Sequence, residues 1–169
     1  MSKTTLIQSK YTIIGMAIIG LLLFTYGLTT KDVICKNSLF IVGAGLLAIS
    51  SYLEKEFFFA GLEGVAIANT VLLLLNVPAH INAIILAFLV LVVIFIACKG
   101  GKITLQLVIG IIGLALLSCG IIFVSNVMMF IAGILLSIYS YLSIKAGFKV
   151  GWVFLILNVI FSAVALTQI

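Results

Sequence analysis

Charge is what this chain has least of. Asp, Glu, Lys and Arg make up 8% of its 169 residues, against about 25% in a soluble domain, and that scarcity excludes an ordinary water-soluble fold. Arginine is absent, all nine basic residues being lysines. His80 is the only histidine, and Cys35, Cys98 and Cys119 form no C-x-x-C pair. A metal site of nitrogen and sulfur ligands therefore has little to build on, and no metal or cofactor is expected. Also missing are a Ser-His-Asp set, a phosphate-cradling glycine loop and carboxylates paired at a catalytic distance. No catalytic residue is assigned, and enzymatic chemistry is disfavoured.

What the chain does have is apolar sequence, 65% by residue count. Polar punctuation divides it into seven segments, 11–29, 38–53, 57–76, 79–98, 103–124, 127–145 and 148–168. About 20 mostly apolar residues cross a bilayer as a helix, so seven spans fit with very short connections. Backbone N–H and C=O groups find no water in the lipid core, and long runs without alternation exclude a barrel. The expected fold is all-α: a polytopic membrane helical bundle of about seven transmembrane helices, one domain over 1–169, with the lipid bilayer as its first partner. The second and sixth segments are short, which calls for local thinning or for flanking polar residues drawn inward. The first run follows Lys3 and Lys10 as a signal peptide would, yet it is long enough to span and lacks an A-x-A cleavage site. It is read as a retained first helix.

A net charge of +5 would point to nucleic acid in a soluble protein. Here the lysines sit between apolar runs and read as topology signals, so no nucleic-acid partner is expected. With the N-terminus inside, Lys3, Lys10, Lys55, Lys99, Lys102, Lys145 and Lys149 fall on the cytoplasmic side and only Lys31 and Lys36 outside. The expectation is a multi-pass protein of the plasma (inner) membrane, N-terminus cytoplasmic and C-terminus outside.

The chain also resembles itself. At an offset of 89, Ser51, Tyr52 and Leu53 match Ser140, Tyr141 and Leu142, Leu46 and Leu47 match Leu135 and Leu136, and Asn69 matches Asn158. "GLLLFTYGL" (20–28) resembles "GLALLSCGI" (113–121) at an offset of 93. The reading is a parallel internal repeat of three helices, 11–76 and 103–168, joined by a connecting helix at 79–98.

Polar residues inside the apolar runs are the candidate site. Asn69 and Asn158 fall near the expected bilayer midplane, where an amide needs a partner: another helix, or a polar substrate. Glu63 is the one acid inside a span, about 9 Å along its helix by rise per residue. It is suited to accept a proton, bind a cation or hold a substrate hydroxyl; the plain alternative is a carboxylate reaching the interface or pairing with Lys55. Trp152 is its counterpart at the 89 offset, and Ser162 lies one turn beyond Asn158. Asn76, Pro78, His80 and Asn82 cluster at a helix break, read as caps or as the rim of a cavity.

Three resemblances to known families attach to these residues. The three-plus-one-plus-three plan looks like that of SWEET sugar transporters and PnuC-type vitamin transporters. The latter carry a Trp-x-x-Trp-x-x-x-Asn motif, whose positions are occupied here by Gly151, Phe154 and Asn158, with Trp152 one residue from the first. "LEK" (53–55) followed by phenylalanines also resembles their first repeat, whereas the Pro-Gln dipeptide of SWEET proteins is absent. The resemblance implies a carrier for a small polar substrate, with Asn158 on the substrate path. "GLEGVAIAN" (61–69) is similar to the Gly-x-Glu helix of small proton-pathway subunits, which implies a larger membrane-complex partner. "GMAIIGLLLFTYGL" (15–28) is similar to the HdeD family of stress-response membrane proteins. The expected function is a membrane carrier for a small polar metabolite, acting alone or as a homo-oligomer, with Asn69, Asn158, Glu63, Trp152 and Ser162 as candidate substrate-binding residues.

Overall fold

Each polar interruption becomes a tight turn or a capped helix end. A computed structural model describes residues 3–99 and 104–169, with side chains from residue 11 onward except that of residue 28. The helices are α1 (Lys3–Thr29), α2 (Val33–Leu53), α3 (Phe57–Leu74), α4 (Ala79–Lys99), α5 (Leu105–Ile122), α6 (Asn126–Lys145) and α7 (Val150–Leu166). Lys102 and residue 103, the expected start of the fifth span, lie outside the described residues. Five helices, α2 to α6, are long and apolar enough to cross a membrane. The apolar parts of α1, Tyr11–Gly27, and of α7 are shorter, at the lower limit of what spans.

The short segments thus differ from those expected. Asp32 accepts the Cys35 N–H at 2.7 Å and starts α2 well before the apolar run, so α2 reaches 21 residues with Lys36 and Asn37 in its first turns. Caps by Thr104 on α5 and Ser125 on α6 act alike, each satisfying an otherwise orphaned N–H.

Neighbouring helices pack in chain order, and α1 closes against α7. The outward faces are apolar, with Ile18, Leu22, Val42, Ile84, Phe88 and Leu91 all exposed, as suits a bundle whose solvent is lipid. Helix approach is closest where side chains vanish. A Cβ placed on Gly20 would stand 2.8 Å from the Gly43 carbonyl oxygen, and one on Gly43 equally close to that of Gly20, so α1 and α2 touch backbone to backbone.

The turns after α2 and α6 share one geometry. Lys55 has φ 64° and Gly147 φ 100°; the Glu56 N–H reaches Ser51 O while the Phe148 N–H reaches Ser143 O, closing each helix in a Schellman turn. These turns stand 92 residues apart and not 89. The helices they end are nearly equal, α2 having 21 residues and α6 having 20.

Candidate functional site

Helix α3 crosses the bundle interior and carries most of the polar groups that meet there. With α1, α2, α5 and α7 it lines a half-open cavity of about 180 Å³, bordered by Phe24, Phe40, Ala44, Leu62, Glu63, Ala66, Asn69, Thr70, Leu117, Ile121, Leu157, Asn158 and Phe161. That is room for on the order of ten waters, or a small organic molecule. By helix rise, Glu63 and Asn158 lie about 9 and 12 Å from the starts of α3 and α7, and Asn69 about 18 Å from that of α3.

Three of the candidate residues therefore meet at one cavity. Glu63 is 1% exposed, and its Oε2 is buried with no hydrogen-bond partner. It neither reaches the interface nor pairs with Lys55, the plainer alternatives from sequence. Asn158 Nδ2 donates to Ser140 Oγ at 3.2 Å, which takes one of its two N–H groups and leaves the other and the carbonyl oxygen without a protein partner. Asn69 is turned the other way: its Oδ1 accepts from Asn82 Nδ2 at 3.2 Å, leaving the amino group. Thr70 Oγ1 is spent on the Ala66 carbonyl at 2.9 Å. No lysine, arginine or histidine lines the cavity among the described residues.

The other two candidates lie elsewhere. Trp152 is 56% exposed on the outer surface of α7. Ser162 is buried with its hydroxyl unpartnered, pressed on Gly133 of α6, and it borders a shallow apolar depression between α6 and α7. Of the cluster at the α3–α4 turn, Asn82 turns inward to Asn69, while Asn76, Pro78 and His80 are exposed.

One turn below Leu62 and Leu157 the cavity has an aromatic floor. Phe59 and Phe154 stack with ring centroids 3.9 Å apart and 5° between planes, and Tyr139 stands edge-on to Phe59 at 4.9 Å. Phe58 packs on Tyr139 from the other side at 4.6 Å. Beneath the floor, two acids tie the first three helices to the last three. Glu56, 6% exposed, accepts at Oε1 from Tyr139 OH and from Ser143 Oγ, both at 2.7 Å. Gln106 Nε2 donates to the same Ser143 oxygen at 2.7 Å. Glu54 Oε2 accepts the Val150 N–H at 2.9 Å, placing a carboxylate on the N-terminus of α7 where the helix dipole favours it.

Sequence reasoning missed this latch. Glu54, Lys55 and Glu56 form a charged run between spans, which reads as a topology marker, and the Glu56 partners lie 83 and 87 residues away. The available signal was a tyrosine and serines on one face of an otherwise apolar helix, where hydroxyls need partners.

No protein-family model, curated protein or solved structure matches the chain. Functional assignment therefore rests on the geometry. Cys35, Cys98 and Cys119 are free, and no group of three or more His, Cys, Asp or Glu side chains gathers among the described residues. The chemistry on offer is a carboxyl, an amide donor and an amide acceptor inside an apolar, phenylalanine-rich chamber.

Proposed function

We propose that the protein is a membrane carrier for a small polar molecule, bound between two parallel three-helix repeats and released by alternating access. The observation that carries the reading is the buried, unpartnered Glu63 carboxyl, with Asn69 and Asn158, in a chamber sealed on one side by contacts between the two halves.

The repeat is supported by matching buried faces. Ala17, Gly20, Leu21 and Gly27 of α1 are buried, as are Gly110, Gly113, Leu114 and Gly120 of α5, at the 93 offset. Gly43, Ala44, Leu47, Ser50 and Ser51 of α2 correspond at 89 to buried Ala132, Gly133, Leu136, Tyr139 and Ser140 of α6. Phe58, Phe59, Leu62, Val65 and Thr70 of α3 correspond at 92 to buried Val150, Gly151, Phe154, Leu157 and Ser162 of α7. Contacts repeat too. A Cβ on Gly20 would meet Leu47 Cγ at 3.0 Å and Leu46 Cβ at 3.2 Å; one on Gly113 would meet Leu136 Cγ at 3.0 Å and Leu135 Cβ at 3.3 Å. In the third helices the counterpart of Asn158 is then Ala66, and that of Asn69 is Phe161. All four line the cavity, so the repeats supply equivalent positions with exchanged chemistry, as suits a site at a repeat interface.

The excess of lysines puts the glutamate latch on the cytoplasmic side. The aromatic floor and latch then form the closed inner gate, and the chamber belongs to the outer half. Transport requires the Phe59–Phe154 stack and the Glu54 and Glu56 bonds to part while the opposite end closes. Counterflow in reconstituted vesicles, with a panel of labelled small polar solutes, tests the reading. The Asn69→Ala/Asn158→Ala double variant is expected to insert normally and to carry nothing; wild-type flux in that variant removes the site. Glu63 also favours a second reading, a proton-pathway subunit, which instead requires co-purification with a larger complex.

A further inference from the structure

The groups left free in the chamber select among ligands by charge. Glu63 presents a carboxyl whose Oε2 has no partner. Asn158 keeps its carbonyl oxygen and one of its two N–H groups, the other being donated to Ser140. Asn69 keeps its amino group, because its oxygen accepts from Asn82. Among the described residues of the lining, the one ionisable side chain is acidic. Around these groups stand Phe24 and Phe40, whose rings stack 4.6 Å apart, and Phe161. Ring faces attract cations and repel anions. An anion would meet a carboxyl with no basic side chain to offset it, in surroundings too apolar to screen the repulsion. A neutral polar molecule can hydrogen-bond the carboxyl in its protonated form, whereas a cation supplies the counter-charge that the buried carboxylate needs.

We infer that the chamber takes a small organic cation, an amine or quaternary ammonium with an apolar body, held by Glu63 as counter-ion and by the phenylalanine rings as walls. This rests on the carrier reading of the same site and narrows its substrate class. The charged head sits at the level of Glu63 and Asn158, about the same height on α3 and α7, and the body extends toward Phe161 and the Phe24–Phe40 pair. Asn69 offers its amino group to an acceptor on the body, so a cation that carries a hydroxyl or carbonyl several bonds from its charge is favoured over a plain alkylammonium.

The test uses the full chain in lipid nanodiscs and four probes: tetramethylammonium, benzyltrimethylammonium, benzyl alcohol and benzoate. The last three share an aromatic body and differ in charge. Thermal stabilisation and calorimetry are expected to rank benzyltrimethylammonium first, benzyl alcohol at least tenfold weaker, and benzoate without effect. Glu63→Gln, which keeps the side-chain shape, is expected to weaken benzyltrimethylammonium at least tenfold and to leave benzyl alcohol unchanged. Equal binding of the three aromatic probes overturns the inference, as does preference for benzoate, cation binding that survives Glu63→Gln, or failure of both cations to bind. Counterflow of labelled tetramethylammonium reads the carrier separately. Cation binding without flux upholds the cation site and discards the carrier; flux of neutral solutes without cation preference discards the cation and keeps the carrier.

Discussion

On the proposed carrier reading, Glu56→Ala isolates the inner latch from the chamber above it. The side chain gives α3 no cap bond, so its removal costs the helix end little. What disappears is a buried carboxylate oxygen receiving two hydroxyl donors at 2.7 Å. Hydrogen bonds to charged groups contribute about 1.5–3 kcal/mol each, and a buried hydroxyl left unpaired costs about 1–3 kcal/mol. Ser143 still accepts from Gln106 but, like Tyr139, loses the acceptor of its own proton, and the effects do not simply add. A net loss of about 2–4 kcal/mol from the closed state is reasonable, which multiplies the open-to-closed ratio of the inner end by about 30 to several hundred. The assay is a membrane-impermeant thiol reagent acting on Leu62→Cys, a chamber position above the floor, with Cys35, Cys98 and Cys119 replaced by Ser. In inside-out vesicles Glu56→Ala is expected to raise the labelling rate at least tenfold, and in right-side-out vesicles to lower it. Tyr139→Phe, which deletes one bond, falls between. Unchanged labelling refutes the latch; equal acceleration from both sides refutes the gate, because it reports a loosened bundle.

Two further outcomes concern the helix contacts and turns. Gly20→Leu drives a side chain into the Gly43 carbonyl, 2.8 Å from the new Cβ, and is expected to cost about 1–3 kcal/mol as a lower unfolding midpoint in detergent. Gly45→Ala, with nothing within 4 Å of a new Cβ, is the control, expected to leave the midpoint unchanged or to raise it. Val124, β-branched at φ 51° between α5 and α6, is in a left-handed conformation that costs about 1–2 kcal/mol outside glycine. Val124→Gly is expected to raise the same midpoint, and a lower one would contradict the strain.

Helices were legible because lipid imposes one rule along their whole length: about twenty apolar residues, then a polar break. Ends were less so. The stretch from Asp32 to Asn37 reads as loop, yet Asp32 caps α2 and the helix starts beside it. The chamber was half legible, since a lone Glu and isolated Asn residues in apolar helices are costly anywhere but an interior. Their partners were not, because Ser140 and Asn82 are named only by three-dimensional neighbourhood. Asn69 and Asn158 stand 89 residues apart, whereas the turns before α3 and α7, at Lys55 and Gly147, stand 92 apart, a difference that a gapless match cannot show. Trp152 shows the converse, an aromatic residue whose one-residue distance from a known motif turns it to the outer surface.

Exchange between two states of the latch end is the point on which the carrier account stands. Spin labels on Lys55→Cys and Lys149→Cys, in the turns that Glu54 and Glu56 join to α6 and α7, measure it as a distance distribution in nanodiscs. The account predicts two populated distances, the longer one enriched by Glu56→Ala. A single narrow distance that Glu56→Ala leaves in place would contradict it.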